Sequence, residues 1–258
     1  MKLVWVLFKK ELMESARNFK WLWVPIVFIV LGLTEPLTAY YLPDILNSVG
    51  DLPEGAVIEI PPPSAGEVFM STISQFNMIG VLVIVLGFMG IISGERKSGT
   101  AAMVLVKPVS YNAYILSKWG GSLLLIWVSY ILGMLSSWYY INLLFENIPA
   151  STFFQTLFIF GMWLTFIMTM LLFFSSLVKA SGIAAFATIT VSIILSFLSS
   201  SLPEKLKWSP SRLSSYVVEI VNGEGWSGDI TAAMMVAGVL CLLLLLLTPF
   251  LFKNKELS

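Results

Sequence analysis

Apolar residues fall in six long blocks, at positions 21–41, 69–93, 119–144, 153–176, 182–202 and 230–252, and the segments between them hold nearly all of the charge. A helix rising 1.5 Å per residue needs roughly 20 apolar residues to cross a hydrocarbon layer of ~30 Å. Barrel strands would instead read as ~10-residue alternating segments. The pattern therefore predicts an all-α polytopic membrane protein, with six transmembrane helices in one transmembrane domain over residues 1–258.

The segments between the blocks have characters of their own. Residues 1–20 are too charged to span, but Val4, Trp5, Phe8, Leu12, Ala16 and Phe19 share one face of a helix, with Lys10, Glu14 and Arg17 opposite. That is the pattern of an amphipathic helix lying on a membrane surface. A secretory signal peptide fits poorly, because the charged region is too long and no small-residue cleavage site follows. Residues 42–68 carry Pro43, Pro53, Pro61, Pro62 and Pro63 and five acids without a base, which predicts an extended outer loop. In the second outer loop, 203–229, Ser209-Pro210 and Asn222-Gly223 bracket a short helix. Its Leu213, Tyr216, Val217, Ile220 and Val221 share a face, so a second interfacial helix is expected, flanked by Trp208 and Trp226 as headgroup anchors.

Composition sharpens this outline. Apolar residues make up 57% of the 258 and charged ones 12%, half the usual share for a soluble domain. There is no histidine and a single cysteine, Cys241, which removes imidazole zinc motifs, internal disulfides and His-based nucleophilic catalysis. No second carboxylate lies in an apolar block beside Glu35, so intramembrane catalysis lacks a constellation. Net charge is zero but unevenly spread. With the amino terminus inside, the inner segments hold Lys2, Lys9, Lys10, Arg17, Lys20, Arg96, Lys97, Lys107, Lys118, Lys179, Lys253 and Lys255, and the outer ones only Lys205, Lys207 and Arg212. The bias of basic residues toward the cytosol puts both termini and the 94–118 loop there.

Inside the blocks, polar side chains offer two readings. Glu35, followed by Pro36, is a functional-site candidate because a bare charge at the bilayer centre costs ~2.5–3.5 kcal/mol. Its place near the far interface equally allows it to snorkel. Thr188, Ser192, Ser196 and Ser199 form a hydroxyl stripe, as do Thr165, Thr169 and Ser176. Such stripes either line a polar route or pack on a neighbour while bonding back to their own backbone. Gly90 and Gly94 form a small-xxx-small pair of low specificity.

The longest cytosolic interruption, residues 94–119, reads GERKSGTAAMVLVKPVSYNAYILSKW. Pro108 disfavours helix at Lys107, so residues 98–106 are expected to form a short helix of their own, with a new one beginning near Ser110. This short helix, small and apolar, offers a docking ridge centred on Met103.

Gly94-Glu95-Arg96, Gly99-Thr100, Lys107-Pro108-Val109-Ser110, Tyr114 and Lys118 together closely resemble the cytosolic loop of ABC-2 type transporter permeases, the membrane subunits of type V-like ABC exporters. The layout of spans, amino-terminal helix and outer helix is similar too. The resemblance implies a non-catalytic permease subunit that forms a translocation pathway as a dimer, with a second copy or a sister permease. It further implies two copies of a cytosolic ABC ATPase that carry ATP and Mg, and a bacterial plasma membrane with its lipids as the setting. No cofactor on this chain and no nucleic acid are expected. Glu95, Arg96, Gly99, Thr100, Met103, Lys107 and Pro108 would then couple the ATPase to the membrane, with Glu35, Thr188, Ser192 and Ser196 as pathway candidates. The chain has no G-x-x-x-x-G-K-[ST] run, so the ATPase is expected on another polypeptide. A membrane anchor or sensor that recruits such a partner without transport shares the docking loop and is the alternative. An ion-coupled carrier would rest on Glu35 alone. The residues do not name the cargo.

Overall fold

A computed structural model describes residues 2–49, 63–100, 103 and 109–256. All regular structure among them is helical: α1 (Lys2–Arg17), α2 (Lys20–Val49), α3 (Ala65–Gln75), α4 (Val81–Phe88), α5 (Ser93–Ser98), α6 (Tyr111–Leu144), α7 (Ala150–Leu177), α8 (Ser181–Ser201), α9 (Leu213–Val221) and α10 (Gly228–Glu256). A π-helical turn, Phe76–Gly80, joins α3 to α4, and a 3-10 turn, Pro210–Arg212, leads into α9. Six stretches are long and apolar enough to cross a membrane, the second of them running from Ala65 to Ser98 through α3, α4 and α5.

Several helices outrun their apolar blocks. α2 continues to Val49 through Pro25, Pro36 and Pro43, so the outer loop is not extended from residue 42. A proline fits helical φ and forfeits one backbone bond, so an apolar block marks the hydrocarbon layer and not the helix end. The second span begins at Ala65, because Ser64 and Glu67 form a capping box: the Glu67 amide donates to Ser64 Oγ at 3.3 Å, and the Ser64 amide to Glu67 Oε2 at 2.8 Å. Glu67, counted above as a loop acid, is thus a helix cap. α6 starts at Tyr111 with the Ala113 amide donating to Ser110 Oγ at 3.2 Å, which carries Lys118 inside the helix. The inter-helix loop therefore shrinks from 94–118 to 99–110. The expected short helix lies mostly outside the described residues, including Lys107 and Pro108. Met103 is described, and it is exposed.

α7 forms the centre. Of its apolar window 72% is buried, against 22% for α8 and for α10. It packs on α10, α9, α8 and α6, while α2 lies along α6. The closest of these approaches is glycine-dependent. A Cβ on Gly32 would collide with the carbonyl of Gly133, and one on Gly133 would meet the Phe28 backbone. The sequence pair Gly90/Gly94 does not serve this purpose: a Cβ on Gly90 would only touch Ser181, and one on Gly94 would meet nothing within 4 Å.

The hydroxyl stripe of α7 is a packing device. Thr165 and Thr169 accept the indole N–H of Trp127 and Trp119 from α6, at 3.1 and 2.9 Å, and both donate to their own backbone. The apolar face of α9 is also occupied within the protein: Leu213, Tyr216, Val217 and Ile220 are buried, with α9 packed on α7 and α3. The expected lipid-facing stripe is thus internal, because another element needed an apolar partner more than the bilayer did. Nor does Ser209 cap with its side chain. Its Oγ lies 3.0 Å from Ser211 Oγ, while Gly223, at φ +83°, closes the helix as its αL position requires.

Gly133→Ala should lower the midpoint of thermal unfolding, with an overpacking cost of about 1–3 kcal/mol. Gly94→Ala should leave it unchanged or raise it slightly, since the site is open and alanine favours helix. Comparable losses in both variants would refute the assigned contact.

Candidate functional site

Span two is not one unbroken rod. Between α4 and α5 the helical ladder fails at residues 89–92, and Ser175 of α7 fills the gap. Its Oγ accepts from the amides of Ile92 and Ser93 at 3.2 and 3.0 Å and donates to the Met89 carbonyl at 3.0 Å. A buried amide without a partner costs about 1–3 kcal/mol, so this fully buried hydroxyl stabilises the break, together with Ser93 Oγ, which donates to the Met89 carbonyl at 3.1 Å. Beyond the break, α5 turns Glu95 and Arg96 in different directions.

Glu95 points into the protein and is 8% exposed. Its Oε1 lies 2.9 Å from the Nζ of Lys118 and 2.9 Å from that of Lys10, while its Oε2 accepts from the Tyr114 hydroxyl. Lys118, 2% exposed, also meets both oxygens of Glu11 at 3.1 Å. Lys10 also pairs with Glu11 at 3.1 Å and with Glu14 at 2.9 Å. Three carboxylates and two ammonium groups thus join α1, α5 and α6. Bringing so many charges out of water is costly, and the arrangement holds because each finds an opposite charge or a hydrogen bond. At Lys10 burial acts to lower the pKa, but the bond to Glu95 and the charges of Glu11 and Glu14 outweigh it, holding the ammonium above the ordinary lysine value. A raised lysine pKa contributes stability at neutral pH that is lost only as the pH climbs through that raised value.

Glu11, Glu14 and Glu95 bring carboxylate oxygens within 4.8 Å of one another, a spacing suited to a cation. Lys10 and Lys118 already occupy that space and offset two of the three negative charges, and Lys20 lines the cavity beside them. A cavity of about 550 Å³ opens beside it, lined by Asn18, Lys20, Gly94, Ser98 and Thr100 among others.

Arg96 faces the other way. Its Nη1 donates to the Ser176 carbonyl at 3.0 Å, in the last turn of α7, where a cation also complements the helix dipole. Its guanidinium lies 5.5 Å from the centre of the Phe252 ring, which stacks on Tyr114 at 5.8 Å. Gly99 then ends α5 at φ +76°, a conformation glycine adopts without strain. Ser98 Oγ and Thr100 Oγ1 lie 2.9 Å apart, and the chain turns toward exposed Met103.

The structure therefore brings Glu95, Arg96, Gly99 and Thr100 to one end of the bundle. It adds Lys10 and Glu14, which the sequence places on the polar face of α1, and Glu11, which the sequence did not single out. On that helix Lys10, Glu11 and Glu14 turn toward the protein, while Lys9, Arg17 and the apolar Trp5 stay exposed. The i,i+4 spacing of Lys10 and Glu14 was the available signal, though nothing local to α1 identifies Glu95 as their partner. The pathway candidates are not brought together. Glu35 sits half-buried on α2, and Thr188 and Ser192 on α8 donate to the carbonyls of Ala184 and Thr188 at 2.8 and 2.7 Å. Of the four, Ser192 and Ser196 line one cavity.

Fold and site together define a six-span helical membrane protein with a buried ion-paired cluster where α1, α5 and α6 meet. The chain belongs to the ABC-2 family of transporter proteins, whose sequence profile matches residues 5–257. It is also 35% identical over 251 residues to an uncharacterized transmembrane protein, YxlG, of Bacillus subtilis (strain 168), covering 95% of each chain. Membership implies, in general, a membrane component that works with a partner ATPase subunit.

Removing Lys118 leaves Glu11 and Glu95 facing each other in a buried site, so Lys118→Ala should destabilise by about 3–5 kcal/mol. Glu14→Ala, at the exposed rim, should cost at most about 1 kcal/mol. Thermal unfolding in detergent measures both, and equal losses would show that the buried pairing does not dominate.

Proposed function

We propose that this chain is the permease subunit of an ATP-driven exporter, paired with a second permease and driven by two copies of a separate cytosolic ATPase. The observation that carries the reading is the ion-paired junction of α1, α5 and α6 directly behind Gly99, Thr100 and the exposed Met103. A push there meets an apolar side chain at Met103 and, one helical turn before Gly99, the Glu95 carboxylate.

 Because Glu95 is bonded to Lys10, Lys118 and Tyr114, α1 and the start of α6 move with α5 as one body. Arg96, anchored on the last turn of α7 and beside Phe252 of α10, extends the same body to the fourth and sixth spans.

The basic residues counted above place both termini and this turn in the cytosol. The exposed Trp5 and Phe19 suit a helix lying on a membrane surface, with lipid against α1. The relative from Bacillus subtilis supports a bacterial plasma membrane as the setting. In this reading ATP and Mg are held by the partner, and this chain contributes the pathway and the lever.

The test is ATP hydrolysis by the cognate ATPase, co-purified with this chain in lipid vesicles. Met103→Glu should lower permease-stimulated hydrolysis at least about tenfold, the effect of some 1.4 kcal/mol lost at a docking contact, while the permease itself stays folded. Unchanged stimulation in both Met103→Glu and Glu95→Ala would refute the coupling role. Binding of the ATPase without ATP-driven movement of any solute would identify an anchor instead.

A further inference from the structure

Away from the charged junction, a second cavity of about 520 Å³ lies between span two and α8, with Trp163 of α7 at its back. Its size falls within the range of small-molecule sites. The lining is of a different kind from the first. No charged side chain takes part, and the walls are apolar, with Met78, Ile193 and Phe197 exposed on its outer rim at 73%, 62% and 69%.

The polar groups in this cavity are few and have spare capacity. The π-helical turn Phe76–Gly80 adds a residue to span two beside it, a distortion that recurs at functional sites. Asn77, in that turn, uses its carbonyl Oδ1 to accept from the Trp163 indole at 2.8 Å, which fixes the amide and leaves its NH₂ group as a donor. Ser192 donates to its own backbone and keeps acceptor capacity. Ser196 and Ser200, one and two helical turns further on, make no side-chain hydrogen bond among the described residues. Donors left unpaired in an apolar phase are costly, so a ligand that accepts from them gains what water supplies elsewhere.

The geometry points to a binding site for an uncharged amphiphile: a hydrocarbon chain against Met78, Ile193 and Phe197, with an ester or amide carbonyl accepting from Asn77 and Ser196. The lack of any cation in the lining argues against a phosphate, and the lack of any carboxylate against an amine. The site's exposed apolar rim lies in the membrane-crossing part of the chain, where such a ligand enters sideways. The assignment does not depend on ATPase coupling, so a failed coupling experiment leaves it standing.

The test uses the full chain in lipid nanodiscs and a monoacylglycerol whose acyl chain carries a photoreactive diazirine. Labelling is expected on peptides containing Met78 or Phe197. Ser196→Phe, which fills the cavity, should cut it at least tenfold. Should that variant fold poorly, the double variant Ser196→Ala with Ser200→Ala removes only hydroxyls and should weaken labelling about fivefold. The same chain bearing a phosphate head should label far less than the uncharged probe. Labelling elsewhere, labelling undiminished by either variant, or equal labelling by the phosphate probe would overturn the proposal. So would complete disulfide formation between copies carrying Phe197→Cys with no labelling by the probe, which would show that a second copy of the chain covers the cavity.

Discussion

The rest of the structure depends on neutralising Lys118. Its ammonium is almost entirely buried, eight residues into a helix that crosses the membrane. An unpaired charge there would be intolerable, so α6 can begin at Tyr111 only if carboxylates arrive from elsewhere. Glu11 comes from α1 and Glu95 from α5, two segments far apart in sequence. Glu95 reaches it from α5, just beyond the break whose two amides Ser175 receives. The docking of α1, the far side of the break in span two and the first turns of α6 thus meet at one buried charge.

This dependence explains how much was legible in the sequence. Six apolar blocks and an amphipathic amino-terminal segment identify the architecture, because the hydrocarbon layer imposes both length and polarity. Helix ends were harder. Val49 and Ala65 lie outside the apolar blocks, where hydropathy is silent and only local chemistry speaks, as the Ser64/Glu67 capping box does. The intimate contact of Gly32 with Gly133 was also hidden, since neither glycine stands in a repeat that would distinguish it from a neighbour.

The candidate site was legible in part for a related reason. Glu95, Arg96, Gly99 and Thr100 stand together in the chain and carry the family resemblance. Lys10, Glu11 and Glu14 are brought to Glu95 by tertiary packing across more than eighty positions, and no periodicity in α1 marks a charged face as internal. An amphipathic pattern states that two faces differ. Which of them meets protein is decided by the partners, and here the partners are ionic. The α9 stripe is the converse case, an apolar face that reads as lipid-facing yet packs on α7 and α3.

The break held by Ser175 has a mechanical consequence. A continuous helix resists bending along its whole length, because every turn is braced by the next. Span two instead has a joint braced from a neighbouring helix by the Ser175 hydroxyl and from within by that of Ser93, both donating to the Met89 carbonyl. Under the proposed coupling, a displacement of α5 would pass to α7 through Ser175 and Arg96 before it reached α4, so the joint would steer load sideways into the most deeply buried helix of the bundle and spare the rest of span two.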